Sequence, residues 1–331
     1  MLAIEMCAGG GGQALGLEQA GFDSAVALEI DKHACATLRL NRPNWNVLEH
    51  DMSKFDGTAY KNVDLFAAGV PCPPFSVAGK QLGDADERDL FPEAIRIIRE
   101  VGPKTFMLEN VAGFATEKFR FYRQRIVDDL TDLGYSVDAK LLNASLYGVP
   151  QLRPRYVIVG LKEEFAPHFY WPASSPCKKT VGSTLFDLLS ENGWSGVNKL
   201  VEKANHIAPT LVGGSKKHGG PDLGPTRAKR QWAVLGIDGK GIANAAPPSD
   251  APDDFMPRLT IRMVARLQGF PDDWSFAGGK TAAYRQIGNA FPPPVAKAVA
   301  RQLRIALEKK NTGYPIVRDE TGQLSFMEAK A

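Results

Sequence analysis

Short apolar runs alternate with amphipathic stretches along about the first half of the chain, as far as Leu161. The apolar runs have the length of buried strands, and they are LAIEM (2–6), SAVALEI (24–30), NVLEH (46–50), VDLFAAG (63–69), KTFMLEN (104–110), YSVDAKLLNA (135–144) and RYVIVGL (155–161). Helical spacing of apolar residues is found between them in GQALGLEQA (12–20), DKHACATLRLN (31–41), DLFPEAIRIIREV (89–101) and FRFYRQRIVDDLTDLG (119–134). This alternation predicts an α/β fold with a doubly wound, mostly parallel sheet.

The alternation stops after Leu161. From there to about Pro257, glycine, proline and charged residues dominate, and no strand–helix–strand unit can be drawn. Helical periodicity returns in LTIRMVARLQGF (259–270), where Thr260 is the predicted N-cap, and in PPPVAKAVARQLRIALEKK (292–310). We therefore predict a first domain over 1–170, a smaller irregular domain over 171–276, and a C-terminal segment over 277–331 that returns to the first domain.

Composition narrows the class of protein only a little. The chain has 331 residues, 44% of them hydrophobic and 23% charged, and its net charge of +3 is too small to identify a partner. The four cysteines include no CxxC pair, which argues against a zinc site or a disulfide scaffold and favours a reducing compartment. Neither a signal peptide nor an apolar run of membrane-spanning length is found. These features favour a cytoplasmic protein.

A glycine-rich segment, AGGGGQALG (8–16), follows the first predicted strand, and Glu29 ends the second about twenty residues later. Glycines let the backbone approach a ligand closely, and a carboxylate at the next strand end can accept both ribose hydroxyls. Gly9, Gly11 and Ala14 also match the dinucleotide fingerprint GxGxxA. The pattern suits a nicotinamide cofactor and an adenosyl cofactor equally well, and a tight turn without any ligand stays open.

Three further strand ends carry reactive side chains. Cys72 lies between prolines in GVPCPPFSVAGK (69–80), Glu109 lies near the end of another strand, and Arg153 with Arg155 precedes or begins a third. Taken singly, these residues could be a core cysteine, a solvated strand end and a surface pair. Because ligand sites form at the carboxyl ends of the strands in an open α/β sheet, their joint occurrence predicts an active site with Cys72 as its nucleophile.

The chain resembles the cytosine-5 DNA methyltransferases of the bacterial modification-enzyme type, from its first strand to about Lys309. The segments that carry the resemblance stand in the family order, and they are EMCAGGGGQALGLEQAGF, ALEID, HDMS, DLFAAGVPCPPFS, FMLENVAG, QLRPRYVIVG, RLTIRMVARLQGFPDDW and YRQIGNAFPPPVAKAVA. Two positions depart from the family pattern. Cys7 stands where the family usually has the phenylalanine that contacts the adenine of the cofactor, and Ala290 replaces a small hydroxyl residue.

The resemblance implies a Rossmann-like catalytic domain, a target-recognition domain and transfer of a methyl group from S-adenosylmethionine to carbon 5 of cytosine. Carbon 5 is a poor nucleophile, and addition of the Cys72 thiolate at carbon 6 turns the ring into a carbanion equivalent. The catalytic residues implied are Cys72, Glu109, Asn110, Arg153 and Arg155. Protonated Glu109 donates to ring nitrogen 3, Arg155 and Arg153 hold the exocyclic oxygen, and Glu109 with Asn110 suits the cytosine amino group. The sequence does not identify the base that removes the carbon-5 proton.

The resemblance also implies which residues bind the cofactor, with a turn at Gly288-Asn289 beside it. The predicted cofactor residues are Cys7, Ala8, Gly9, Gly11, Gly12, Glu29, Ile30, Asp51, Met52, Pro71, Asn289 and Ala290. Glu29 is assigned to the ribose hydroxyls and Asp51 to the adenine amino group. No metal is expected.

The substrate is expected to be double-stranded DNA whose target cytosine is flipped out of the helix. The segment SVAGKQLGDADERDLF (76–91) is interpreted as a lid, and the basic stretch 199–232 as the surface that reads the DNA sequence. The predicted DNA contacts are Ser76, Lys80, Lys216, Lys217, Arg227, Lys229 and Arg230. Among them Arg227 and Arg230 are the predicted base readers, since a guanidinium can bond a guanine edge bidentately. We expect a monomer located at the nucleoid through DNA, and the resemblance allows a cognate restriction endonuclease that acts separately.

Three alternatives stay open at this point. The same chemistry could act on tRNA, although the variable domain of roughly a hundred residues favours duplex DNA, whose base edges must be read. A nicotinamide-dependent oxidoreductase is allowed by the glycine segment but has no use for Cys72 beside Glu109 and the arginines. A catalytically inactive DNA-binding relative fits poorly, because the thiol and the carboxyl are both present. The recognised DNA sequence stays open as well.

Overall fold

The computed structural model of the chain describes residues 1–71, 89–214 and 220–309, together with the backbone of two short strands near the C-terminus. The strands are β1 (Leu2–Met6), β2 (Asp23–Glu29), β3 (Val47–Glu49), β4 (Leu65–Gly69), β5 (Thr105–Val111), β6 (Tyr135–Asn143), β7 (Pro154–Lys162), β8 (Val317–Arg318) and β9 (Leu324–Ser325). The first seven strands form one sheet, and each contains a run that the apolar pattern predicts.

The seven-stranded sheet has the order β3-β2-β1-β4-β5-β7-β6. Strands β1 to β5 are parallel, whereas β7 runs antiparallel to both of its neighbours, β5 and β6. The prediction of an α/β fold with a mostly parallel sheet is confirmed. The strand order reverses between β1 and β4, and in open α/β sheets such a reversal leaves a crevice at the carboxyl ends of the strands.

Helices cover both faces of the sheet and continue beyond it. In the described part of the chain they are α1 (Gly12–Gln19), α2 (Lys32–Asn41), α3 (Phe91–Val101), α4 (Arg120–Asp132), α5 (Val181–Leu189), α6 (Val197–Lys203), α7 (Thr226–Val234), α8 (Ile261–Gln268), α9 (Lys280–Asn289) and α10 (Pro293–Leu307). Helices α5, α6, α7 and α9 have no counterpart in the sequence-based prediction. The prediction of a turn at Gly288-Asn289 is wrong, because both residues are helical and end α9.

The doubly wound arrangement follows from the two-residue period of the strands. In β1, Ile4 and Met6 join a hydrophobic cluster with α3 and α4, whereas Ala3 joins a cluster on the opposite face with α1 and α10. The predicted apolar stripe of α10 is fully buried in that second cluster; it comprises Val295, Val299, Leu303 and Ala306. The C-terminal helix therefore packs on the same sheet as the N-terminal strand.

A third hydrophobic cluster joins helices α5 to α9 with residues of α2, including Cys35 and Leu38. Thr260 is the N-cap of α8, as predicted, and its hydroxyl accepts from the Met263 amide at 3.3 Å. This cluster crosses both predicted domain boundaries, and the division at 170 and 276 stays a prediction. None of the helices in the described residues is long and apolar enough to cross a membrane.

Candidate active site

A cavity of about 360 Å³ opens at the carboxyl edge of the sheet, where the strand order reverses. Its walls come from the loop after β1, the ends of β2, β4 and β5, and one face of α9. The predicted cofactor residues that line it are Cys7, Ala8, Gly9, Gly12, Glu29, Ile30, Pro71, Asn289 and Ala290. Glu109, a predicted catalytic residue, lines the same cavity. The structure therefore brings most of the predicted cofactor residues and one catalytic residue together.

The glycine loop leaves room for a ligand at Gly9 but not at Gly11. A Cβ added to Gly9, whose φ is +55°, would meet no atom within 4 Å. A Cβ on Gly11, at φ +87°, would lie 2.6 Å from the ring of Trp274, whose indole nitrogen donates to the Gly10 carbonyl at 3.0 Å. Gly11 does not line the cavity. The missing Cβ of Gly11 allows close packing against Trp274, and its cofactor role stays a prediction.

Glu29 is held rigidly at the end of β2. Its Oε2 accepts from the Gly9 amide at 2.7 Å, and its Oε1 accepts from the amides of Ile30 and Asp31, both at 2.8 Å. These bonds fix the carboxylate where it lines the cavity, and Oε2 keeps one further lone-pair direction for a ligand. The local geometry is that of a preorganised acceptor for hydroxyl groups.

Asp51 and Met52, two other predicted cofactor residues, do not line the cavity. The Asp51 carboxylate accepts from the amide and the hydroxyl of Ser53 at 2.9 Å each, and these bonds lower its pKa. Met52 is buried, and its sulfur lies 3.8 Å from the Cys7 thiol. Met52 therefore packs against the Cys7 side chain. The contact between Asp51 and the adenine of the cofactor stays a prediction.

Glu109 and Arg155 form a buried ion pair, with 2.6 Å between Oε1 and Nε. The pair exists because β7 is antiparallel, so that its first residues lie at the carboxyl edge of β5 and Arg155 is opposite Val111. Burial raises the pKa of the Glu109 carboxyl, and the positive charges of Arg155 and Arg153 offset part of this rise. A buried carboxyl of this kind can hold a proton and donate it within the cavity.

Arg153 and Asn110 are committed to backbone groups. The guanidinium of Arg153 has no solvent exposure and donates to the carbonyls of Leu211 (2.7 Å), Gly288 (2.6 Å) and Ala290 (3.0 Å). The Asn110 amide nitrogen donates to the Val70 carbonyl at 3.0 Å. The hydrogen bonds of these two side chains position the backbone, and their predicted contacts with the base stay predictions. Asn110 fixes the backbone two residues before Cys72.

Several predicted residues, namely Cys72, Ser76, Lys80, Lys216 and Lys217, lie outside the described residues, as does most of the predicted lid. The other predicted DNA contacts lie on α7. Arg227 and Arg230 are exposed there, whereas the Lys229 ammonium donates to Asp222 at 2.7 Å. Lys229 thus has a partner within the protein, and the two arginines are the more accessible cations.

Sequence reasoning missed three charged residues that line the cavity, Glu5, Asp31 and Arg285. Glu5 is buried on β1, and both its burial and the charge of Glu29 raise the pKa of its carboxyl. The signal available in the sequence was Glu5 itself, an acidic residue inside the apolar run LAIEM, because a carboxyl group is rarely fully buried unless it has a partner. Arg285 lies in α9, a helix that the sequence-based prediction lacked.

The sequence matches a family of known methyltransferases. Residues 1–304 match the family described as C-5 cytosine-specific DNA methylase. The chain is 54% identical to Type II methyltransferase M.NgoMIV of Neisseria gonorrhoeae, over 93% of this chain and 99% of the relative. It is 52% identical to Type II methyltransferase M.NaeI of Lentzea aerocolonigenes, over 94% of this chain and 76% of the relative.

Solved structures show the same fold. The Dnmt2 methyltransferase of S. pombe superposes with a TM-score of 0.62 at 17% identity, over 93% of this chain and 99% of that chain. The protein thus has a Rossmann-like α/β fold that it shares with this structure. By sequence it belongs to the C-5 cytosine-specific DNA methylase family, and it is a DNA (cytosine-5-)-methyltransferase. Membership of this family argues against the nicotinamide-dependent oxidoreductase.

Proposed function

We propose that the protein methylates carbon 5 of a cytosine flipped out of a specific double-stranded DNA sequence, through a covalent adduct of Cys72. One observation carries the proposal: Glu109, which is buried and paired with Arg155, lines the same cavity as the glycine loop and Glu29. Glu109, the proposed proton donor to the base, and Glu29, the proposed acceptor for the ribose hydroxyls, thus line the same cavity. The identity with Type II methyltransferases supports DNA over tRNA as the substrate.

The lining of the cavity suits S-adenosylmethionine. When bound, this cofactor supplies the methyl group from a positively charged sulfonium. The carboxyl groups of Glu5, Glu29, Asp31 and Glu109 line the cavity, and the carboxylates of Glu29 and Asp31 favour a cationic ligand. The open face of Gly9 and the fixed carboxylate of Glu29 suit the nucleoside part.

The proposed catalysis is carried by side chains of the chain itself. The Cys72 thiolate attacks carbon 6 and forms a carbon–sulfur bond, and the displaced electron pair becomes available at carbon 5. Glu109 donates its proton to ring nitrogen 3, which neutralises the charge that develops on the ring. After methylation, a base that the sequence does not identify accepts the carbon-5 proton, the carbon 5–carbon 6 double bond re-forms, and the thiolate leaves. Ring nitrogen 3 then returns its proton to Glu109. Arg155 stays beside Glu109 and holds the oxygen of the base.

Base flipping follows from the burial of Glu109. The residue is 9% exposed and lines the cavity, so we infer that a base stacked within a duplex cannot reach it. The target nucleotide must leave the helix to contact the carboxyl. We further propose that a restriction endonuclease of matching specificity accompanies the protein, since its relatives are named Type II methyltransferases.

Glu29→Gln is expected to weaken S-adenosylmethionine binding by about tenfold to a hundredfold, because it removes a charged acceptor from the ribose hydroxyls. Calorimetry measures the affinity, and thermal unfolding checks that the loop held by Glu29 persists. Glu164→Gln, at an exposed acid far from the cavity lining, is the matched control. The same titration of Asp51→Asn tests the adenine contact. A changed methylation sequence with unaltered cofactor affinity would contradict either assignment.

Arg227→Ala or Arg230→Ala is expected to relax the sequence preference at one position of the target and to cost about 1–3 kcal/mol of binding energy. Both side chains are exposed on α7, whereas Lys229 has an internal partner. Bisulfite mapping of DNA from cells that express each variant reads the preference. Lys229→Ala serves as the comparison and should leave the preferred sequence unchanged. Identical methylation maps for all three variants would place base reading elsewhere.

A further inference from the structure

One face of α9 forms a wall of the cavity, through Ala282, Arg285, Gln286 and Asn289. Two of the three polar side chains on this face are already engaged. Gln286 accepts from the Thr37 hydroxyl at 2.6 Å and donates to the Ala277 carbonyl at 2.9 Å. The Asn289 amide nitrogen donates to the Gly214 carbonyl at 3.2 Å. Arg285 is the polar residue of this wall whose donors are available to a ligand.

Arg285 is partly buried, and within the described residues it has no hydrogen bond or ion pair. It is also the only basic side chain among the described residues that line the cavity, against four carboxyl groups. Arginine guanidinium groups near a cavity edge usually find a carboxylate when one is in reach. An unpaired guanidinium in an acid-rich cavity therefore indicates a site for an anionic group of the ligand.

The charges of the cofactor match this distribution. S-adenosylmethionine carries two positive groups, the sulfonium and the α-ammonium, and one negative group, the α-carboxylate. The carboxyl groups of the cavity suit the positive groups, and a guanidinium suits a carboxylate, which it can bind through two parallel hydrogen bonds. We propose that Arg285 binds the α-carboxylate of the cofactor and makes the site selective for cofactors that carry one. The inference rests on the proposed function, which puts S-adenosylmethionine in this cavity.

Anchoring of the carboxylate would also serve the reaction. The methionine arm of the cofactor rotates freely in solution, and a fixed carboxylate at one end restricts where the sulfonium can lie. The planar fork of arginine restricts orientation more strongly than the ammonium of lysine. Arg285→Lys is therefore expected to recover only part of the affinity that Arg285→Gln loses.

The test compares two ligands on two proteins by calorimetry with the full chain. The ligands are S-adenosylmethionine and its decarboxylated analogue, which differ only in the carboxylate. For Arg285→Gln we expect S-adenosylmethionine to bind about tenfold to a hundredfold more weakly, because the loss of one charge-assisted hydrogen bond typically lowers affinity by this factor. The decarboxylated analogue should bind the variant and the unaltered protein within about threefold. Arg301→Gln, at an exposed arginine on α10, should change neither affinity.

Several results would overturn the inference. Equal weakening of both ligands would mean that Arg285 supports the cavity without contacting the carboxylate. Unchanged cofactor affinities with weaker DNA binding would assign Arg285 to phosphate instead. If the unaltered protein bound neither S-adenosylmethionine nor S-adenosylhomocysteine, the proposed function itself would fail, and that outcome is distinct from a variant-specific loss.

Discussion

Cys72→Ala is expected to abolish methyl transfer, with a loss of more than about 10⁴-fold, because it removes the thiolate that we propose forms the bond to carbon 6. S-adenosylmethionine affinity should stay within about threefold, since the assigned cofactor contacts lie in the loop after β1, the end of β2 and α9. Incubation of duplex DNA with the protein and the cofactor, followed by mass spectrometry of the nucleosides, measures 5-methylcytosine directly.

Cys177→Ala is the matched control for this experiment. Cys177 is partly buried, does not line the cavity and has its thiol 3.8 Å from the Lys179 carbonyl. Its loss should leave 5-methylcytosine formation within about twofold of the unaltered protein. If Cys72→Ala retains a tenth or more of the activity, the proposed nucleophile is wrong.

Glu109→Gln should slow methyl transfer by about 10²–10⁴-fold, the usual contribution of a general acid. Glutamine keeps the shape of the side chain but has no acidic proton to give. In the unaltered protein, burial raises the pKa of Glu109, so the protonated form persists to higher pH than for an exposed glutamate. The rate of methyl transfer should therefore fall as the pH rises through the Glu109 pKa, which gives the pH–rate profile a descending limb. The variant should lack that limb.

The substitution also removes the partner of a buried guanidinium, and Arg155 would then carry an unpaired charge. Breaking a buried pair commonly costs about 3–5 kcal/mol, so stability must be measured beside activity. Thermal unfolding and cofactor titration show whether the variant is folded, and Glu109→Asp should recover part of the rate. A folded variant that methylates at the normal rate, or one that keeps the same pH limb, would contradict the assignment.

The sequence predicts the sheet well because its signal is local. Each of the seven strands contains a run of apolar residues, and the alternation within β1 distributes Ala3 and Ile4 to opposite faces of the sheet. The glycine loop, Glu29 and Glu109 were also predictable, since strand ends and turn residues fix where they lie. These features require no knowledge of distant contacts.

Other features depend on contacts that sequence spacing does not reveal. Arg153 bonds carbonyls that are 58 and 135 residues away, so its engagement could not be predicted from the QLRPRYVIVG segment. Gly11 packs against Trp274, and this distant packing partner could not be predicted from the glycine-rich segment. Helix α9 was missed because only part of its face is apolar; its other positions line the cavity with Arg285 and Asn289.

The proposed covalent mechanism is tested most directly by trapping the protein on DNA. A pool of duplexes containing 5-fluorocytosine is incubated with the protein and S-adenosylmethionine, and the cross-linked peptide is identified by mass spectrometry. Fluorine at carbon 5 leaves no proton to remove after methylation, so the thiol cannot be expelled. We predict a cofactor-dependent covalent complex through the sulfur of Cys72. Attachment through Cys7, Cys35 or Cys177, or no complex from a preparation that methylates ordinary DNA, would contradict the mechanism.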